Sequence, residues 1–410
     1  MKKSIGKTIV SAICALPVLF GTACADEPTL LGYTSFAYFN TQATWAFLSE
    51  EEEASQANVD LWGSICERLS QIEESLSTGN EESSISRFNA ANAGDKVEID
   101  FTAYTVLSEA KRIYEKTDGA YNPAVGLLVD LWGFTPRFTD PFSDAPDMPY
   151  DRDNYTTTLP AQDYIDNFRA LSDFSSVLLE EEGGKYYATK PSSAVWERTD
   201  EEGNVVETYT MQVNLGGIGK GYAVDEVHAI MREAGQQYGY FNLGGSSISV
   251  LQNYFSEENE KGLRPQSVGM NNPRKDVFSA PTYASVLVAD SCLSTSGDNE
   301  LYYPFGEQRF CHIINPHTGY PVNGDPQNPT GSGIITASVS GLSASEGDAT
   351  TTALMVMGKE GALAYIEEYL SDKGVTFVYY DGVEKTYTVY TNLSENILTL
   401  NVEGMARVQI

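Results

Sequence analysis

Three groups of residues in this 410-residue chain have types and spacings suited to chemistry on a phosphate. The first is Asn214-Leu-Gly-Gly-Ile-Gly-Lys-Gly-Tyr-Ala-Val-Asp225, which sets four glycines around Lys220 just ahead of a helical run. Glycine lets the backbone come close to a phosphate, and a helix N-terminus aims unpaired N–H groups at it. The stretch is not a Walker loop, because Gly219-Lys220 is followed by Gly221, and it is not a dinucleotide GxGxxG fingerprint. Taken alone, it also reads as a tight strand-to-helix turn with an exposed lysine. The second group, Asp348 and Thr352, stands at i and i+4, on one face of a helix. A carboxylate and a hydroxyl suit a hard cation such as Mg2+, which takes few protein oxygens and keeps places for water and substrate phosphates. An ordinary helix start capped by Asp348 uses the same residues. The third is His312-Ile-Ile-Asn-Pro-His-Thr-Gly-Tyr-Pro321, which holds two of the three histidines. Histidine is the usual general base near neutral pH, although a structural histidine at a turn edge fits as well. His228 falls in a helix and reads as structural.

The elements that must position these groups follow from periodicity. Tyr33 to Phe47 is rich in aromatic and β-branched residues and reads as strand. Apolar residues recur at helical spacing in Glu50–Leu76 and Phe101–Thr117, the second closed by Asp118-Gly119. A third helix is expected over Tyr222–Glu233, and two more over Ala344–Gly358 and Ala362–Leu370. Short strands alternate with turns from Val177 to Val213. Phe241–Gly245 and Ala284–Ala289 read as strand, and Val375–Thr391 as a hairpin turning at Asp381-Gly382. Residues 135–160 and 253–280 are polar and read as loops. Helices and strands mix without regular βαβ alternation, which favours an α+β fold in one large domain over 33–410.

The chain holds 26 Lys+Arg against 57 Asp+Glu, a net charge of −31. Such a balance excludes a basic nucleic-acid footprint and repels anionic lipid. A dianionic ligand needs a local cation in this setting. Lys2, Lys3 and Lys7 precede an apolar run from Ile9 to Phe20, so residues 1–25 read as an export signal. Ala23-Cys24-Ala25 suits cleavage before Asp26, while Gly21-Thr22-Ala23-Cys24 resembles a lipobox that would lipidate Cys24; both readings stay open. Residues 26–32 are expected to be a tether. Cys66, Cys292 and Cys311 have no metal-like spacing. They read as packed thiols, with one disulfide left open.

Taken in order, Ser83–Asn89, Thr117–Gly126, Leu131–Phe134, Leu215–Asp225, Asn242–Gly245, Thr295–Gly297, His312–Pro316 and Asp348 with Thr352 resemble the ApbE family of FAD:protein FMN transferases. The resemblance runs from Thr41 to Gly358. It implies a T-fold-like domain with mixed sheets and flanking helices. It also implies that FAD is held with its pyrophosphate on Mg2+. A Ser or Thr hydroxyl of a partner flavoprotein then attacks the FMN phosphorus, AMP leaves, and FMN stays attached as a phosphoester. Carried over by position, Asp348, Thr352 and the Gly217 carbonyl would hold the metal. Ala120, Tyr121, Asn122, Asn214, Lys220 and Ile314 would contact FAD. His312 would deprotonate the acceptor hydroxyl. Asn122, Asn214 and Asn315 stand where the family usually carries Asp, and Ser246 where Asp or Asn is commoner. If residue 315 orients the histidine, Asn315 weakens it as a base. The alternatives are a Mg2+-dependent FAD pyrophosphatase giving FMN and AMP, and a non-catalytic flavin-binding lipoprotein. The acceptor is expected to be a separate exported protein, with a lipid anchor as a route to the membrane.

Overall fold

A computed structural model of the chain describes residues 29–49, 54–134, 159–251, 265–305 and 308–410. The expected export signal and most of the 135–160 loop lie outside the described residues. Along the chain, strands β1 (Thr29–Tyr38) and β2 (Thr41–Ser49) precede helices α1 (Gln56–Leu76) and α2 (Ser84–Ala90). Next come β3 (Lys96–Ile99), α3 (Phe101–Lys116), a 3-10 turn (Pro123–Val125), α4 (Gly126–Leu131) and α5 (Gln162–Ala170). Four short strands follow: β4 (Leu178–Glu182), β5 (Lys185–Thr189), β6 (Val195–Thr199) and β7 (Val205–Thr210). After α6 (Gly219–Glu233) come β8 (Gly239–Leu243), β9 (Ser247–Val250), β10 (Gln266–Asn271), β11 (Thr282–Val288) and β12 (Ser291–Gly297). The chain closes with β13 (Tyr302–Phe305), β14 (Gln308–Cys311), β15 (Gly333–Ser340), α7 (Ala344–Tyr369), β16 (Gly374–Asp381), β17 (Thr386–Thr391), β18 (Leu398–Leu400) and β19 (Met405–Gln409).

Nine strands form the main sheet in the order β1-β2-β8-β9-β12-β15-β16-β17-β19. All neighbours are antiparallel except β17 and β19. Its central strands are covered on both faces, so their apolar residues run on instead of alternating with polar ones. In β15, Ile334 turns into the core under the helices, while Ile335 enters a second core beneath the β10-β11-β18 sheet. Phe377 and Val378 in β16 divide in the same way. On the helical face, α7 lies over β12 and β15 and against α6, and α6 in turn packs on α1. A third core gathers Leu128, Trp132, Phe168, Phe310 and Ile314 around α4 and α5. This is an α+β fold, as the absence of βαβ alternation predicts.

Several boundaries differ from the sequence expectations. Thr29–Gly32, read as tether, belong to β1 and pair with Ala46–Ser49. The expected Tyr33–Phe47 strand is a hairpin that turns at Phe39 and Asn40, both with φ near +50°. Neither glycine nor proline marks that turn, so its strain is invisible in composition. The polar stretch 253–280 contains β10, whose alternating Val268 and Met270 face β11's side of the core while Ser267 and Gly269 stay exposed. Helix α6 begins at Gly219, earlier than its apolar periodicity indicates. The two helical runs expected in 344–370 are one element broken at Gly358, where φ is +69°.

Candidate functional site

A cavity of about 480 Å3 opens where the N-terminal ends of α6 and α7 meet the end of β12 and the β1–β2 turn. Its size lies within the range of roughly 300–1,000 Å3 usual for small-molecule sites. All ten residues singled out from the sequence line it: Ala120, Tyr121, Asn122, Asn214, Gly217, Lys220, His312, Ile314, Asp348 and Thr352.

The crossing of α6 and α7 builds the oxygen-rich wall. Asp225 caps α7 by accepting hydrogen bonds from the N–H groups of Ala344 (2.7 Å) and Ser345 (2.8 Å). A Cβ at Gly221 would collide with the Ala344 carbonyl oxygen, so glycine there is what lets the helices touch. The Gly221 N–H donates to Asp348 Oδ2 at 3.1 Å. No described residue hydrogen-bonds Oδ1, and Asp348 lines the cavity. Burial raises the Asp348 carboxyl above its ordinary range, while Lys220 and the Gly221 N–H pull it back. One turn on, Thr352 Oγ1 donates to the Asp348 carbonyl (3.2 Å) and meets Ser296 Oγ at 3.2 Å. A Cβ at Gly217 would lie 3.3 Å from Thr352 Oγ1 and 3.4 Å from the Tyr121 ring. Gly217 thus lies against Thr352 on the wall that Asp348 also lines, and a backbone carbonyl, a hydroxyl and a carboxylate are the hard oxygen donors that suit Mg2+. Among the described residues no group of three or more His, Cys, Asp or Glu side chains could hold a metal, so a softer, all-protein site is absent there.

The glycine-rich turn is held by its own atoms. Asn214 Oδ1 accepts from Gly216 N–H at 2.8 Å, and the Asn214 N–H donates to the Pro123 carbonyl at 2.7 Å. Lys220 Nζ donates to the Gly216 carbonyl at 3.0 Å. Upstream, Asn89 pairs with both backbone groups of Val213 (2.8 and 2.9 Å), tying the Ser83–Asn89 motif to this turn. Tyr121 presents its ring to the cavity, and its buried hydroxyl has no hydrogen-bond partner among the described residues.

His312 forms the opposite wall. Its Nδ1 lies 3.2 Å from the Leu301 carbonyl, which also accepts the His312 N–H at 3.0 Å. A carbonyl only accepts, so Nδ1 carries the proton and Nε2 keeps its lone pair. Burial, then the charge of Lys220, pushes the imidazole down to about 4. The ring is neutral at physiological pH, so its Nε2 lone pair is available, although burial and Lys220 make it a weaker base than a free imidazole.

The structure corrects the expectation attached to Asn315. Its Oδ1 accepts from the His317 N–H at 2.9 Å inside the 315–320 turn; Leu301, not residue 315, orients His312. Asn122 also gains an explanation. Its amide nitrogen donates to the Ser172 carbonyl (2.7 Å) while its oxygen accepts from Ala124 N–H (2.8 Å). A carboxylate could not make the first bond. Asn122 thus holds the 3-10 turn behind the cavity with both side-chain groups used.

Sequence reasoning missed part of the lining. Phe39, Asn40 and Thr41 come from the β1–β2 turn, Glu73 and Leu76 to Thr78 from the end of α1, and Glu300 and Leu301 from the segment after β12. None carries a motif; they reach the site through strand pairing and helix packing. Val125, Phe134, Gly244 and Thr295 to Gly297 also line it and lay within recognised motifs, which were the available signal. His228 is structural as expected, its Nδ1 paired with Ser249 Oγ. Cys66, Cys292 and Cys311 are free thiols, which closes the disulfide alternative.

Comparison with known proteins agrees with this geometry. The ApbE family model matches residues 39–377. The FAD:protein FMN transferase of Escherichia coli (strain K12) is 26% identical over 308 residues, covering 75% of this chain and 74% of that protein. The solved flavin transferase ApbE from Vibrio cholerae superimposes with a TM-score of 0.63 at 22% identity, over 89% of this chain and 97% of that one. The apo form of the Pseudomonas stutzeri flavinyl transferase ApbE gives 0.65 at 20% identity, over 89% and 95%. With the family model spanning most of its length and the motif residues gathered around one cavity, the chain belongs to the ApbE family.

Proposed function

We propose that this chain is a FAD:protein FMN transferase that attaches FMN to a Ser or Thr hydroxyl of a partner flavoprotein. The observation that carries the reading is the pairing, in one cavity, of a neutral imidazole with an open Nε2 and the oxygen set of Asp348, Thr352 and Gly217. Phosphoryl transfer needs little covalent help from a protein; positioning and charge neutralisation dominate. His312 Nε2 takes the proton of the acceptor hydroxyl as its oxygen bonds to the FMN-side phosphorus. The bond from that phosphorus to the AMP-side oxygen breaks, and AMP departs. Lys220 balances charge on the diphosphate. Asp348, Thr352 and the Gly217 carbonyl would hold Mg2+, whose chemistry when bound is to neutralise diphosphate charge.

The relatives' names supply FAD and a protein acceptor; the cation is inferred from the donor set, and the Ser or Thr hydroxyl is what the family resemblance implies. Export follows from residues 1–25, with Cys24 lipidation or cleavage before Asp26 as the two routes, and places the acceptor outside the cytoplasm.

The test is a reaction of purified protein with FAD, Mg2+ and a flavinylatable acceptor domain, read by the mass gain of one FMN on the acceptor. Asp348→Ala should lower the rate roughly 100-fold or more, the equivalent of several kcal/mol. Release of FMN at the same rate without acceptor would instead assign the chain to FAD hydrolysis.

A further inference from the structure

We propose that Glu300 makes FAD admission conditional on a divalent cation: its carboxylate opposes the diphosphate in the metal-free cavity, and the cation removes that opposition. This inference rests on the reading of the cavity as a cation–diphosphate site. Among the described residues lining it, Lys220 is the one lysine or arginine, against the carboxylates of Glu73, Glu300 and Asp348. Two of these are engaged. Glu73 Oε1 accepts from the Phe39 N–H at 2.9 Å, and Asp348 Oδ2 from Gly221 N–H. Glu300 has no hydrogen bond or ion pair with any described residue. The charged groups that act on it are Lys220 and Asp348 across the cavity and Lys275 on the exposed turn after β10. Lys220 spends one donor on the Gly216 carbonyl and does not neutralise Glu300 by direct contact.

An unpaired carboxylate in this position stabilises nothing in the free protein, and burial already raises its carboxyl above the usual range. Its effect is on what enters. A dianionic diphosphate brought into a cavity with excess negative charge meets repulsion, which water at the exposed Glu300 carboxylate weakens but does not cancel. A divalent cation held by Asp348 and Thr352 would cancel the excess negative charge of the lining. Glu300 then draws the cation in and ceases to exclude the phosphates. Metal-free FAD is kept out, and the loaded pair is accepted.

Binding of FAD, followed by flavin fluorescence in EDTA and in Mg2+, tests this on the wild-type chain, Glu300→Gln and Glu300→Ala. Riboflavin, which lacks phosphate, serves as the neutral probe, and thermal melts check that each variant folds. The expected result is about tenfold tighter metal-free FAD binding in both variants, a smaller gain from Mg2+, and unchanged riboflavin binding. If Mg2+ tightens FAD binding to the wild type while the variants leave metal-free affinity unaltered, the role of Glu300 is wrong and the cavity reading stands. If Mg2+ has no effect on the wild type, the cavity reading fails and this inference with it. An equal change for riboflavin would refute the electrostatic origin.

Discussion

His312 owes its neutral state to burial and one lysine, and its tautomer to one carbonyl. Leu301 fixes the proton on Nδ1, and burial with Lys220 holds the imidazole down at about 4, against an ordinary value of 6.5. The base is the neutral ring, so kcat/KM for transfer should be flat from about pH 8 to about pH 5 and fall as pH approaches 4, because that ratio reports the free enzyme. The unfolded chain would take up this proton first. The histidine's contribution to stability is therefore intact above 6.5 and lost as pH drops towards 4. His312→Gln should cut transfer by roughly 10²–10⁴-fold while FAD affinity, read separately by fluorescence, holds. Loss of FAD binding alongside activity would show that the ring only packs. The importance of His312 was legible in its motif, but its tautomer was not, because Leu301 belongs to a segment with no signature. Asn122 teaches the same lesson in reverse. As a departure from the family pattern it looked like a lost charge, yet its amide donates to Ser172, a partner 50 positions away.

Among the elements, the decisive contact is the crossing of α6 on α7. Asp225 on α6 caps α7, Gly221 gives the clearance, and the same glycine's N–H fixes Asp348. Substituting Gly221→Ala would force the helices apart at the Ala344 carbonyl. We expect a loss of about 1–3 kcal/mol, the usual cost of overpacking. It should be accompanied by weaker Mg2+-dependent FAD binding, since Asp348 would lose its N–H partner. Urea denaturation gives the first quantity and fluorescence titration the second; a variant with wild-type values for both would disprove the crossing as the organiser of the site. The glycines of this turn drew attention as a phosphate loop, but Gly221 is required by helix contact. The β1–β2 turn was missed for a related reason. The positive φ at Phe39 sits on a residue that ordinarily avoids it, and the Glu73 carboxylate receiving the Phe39 N–H helps hold the turn in place.

Taken as a whole, the molecule is strongly acidic, and the three cysteines among its described residues are unpaired thiols. Cys292 and Cys311 are buried and burial pushes both thiols up to about 12, so neither offers the thiolate that oxidation requires. Cys66 is half-buried and also raised by burial. Three free cysteines are therefore compatible with an oxidising compartment. Mass spectrometry of the protein recovered from its native membrane and extracytoplasmic fractions should find a mature N-terminus at Cys24 carrying lipid, or at Asp26; an intact Met1 would overturn export. The net charge of −31 gives the same molecule its dependence on local cations. At the cavity, Lys220 supplies positive charge that the acidic surface elsewhere does not.

The sequence by itself determined the α+β class, most helices, and all ten candidate residues, since periodicity and local motifs are properties of neighbouring positions. It determined neither which glycine serves a ligand and which serves packing, nor which group orients His312, nor that Glu300 faces Lys220 and Asp348. Those relations join residues tens to hundreds of positions apart, and they exist only once the nine-stranded sheet sets the end of β12 against the start of α7. A motif names a residue's chemistry; burial and the partner across the cavity decide its charge, its tautomer and its task.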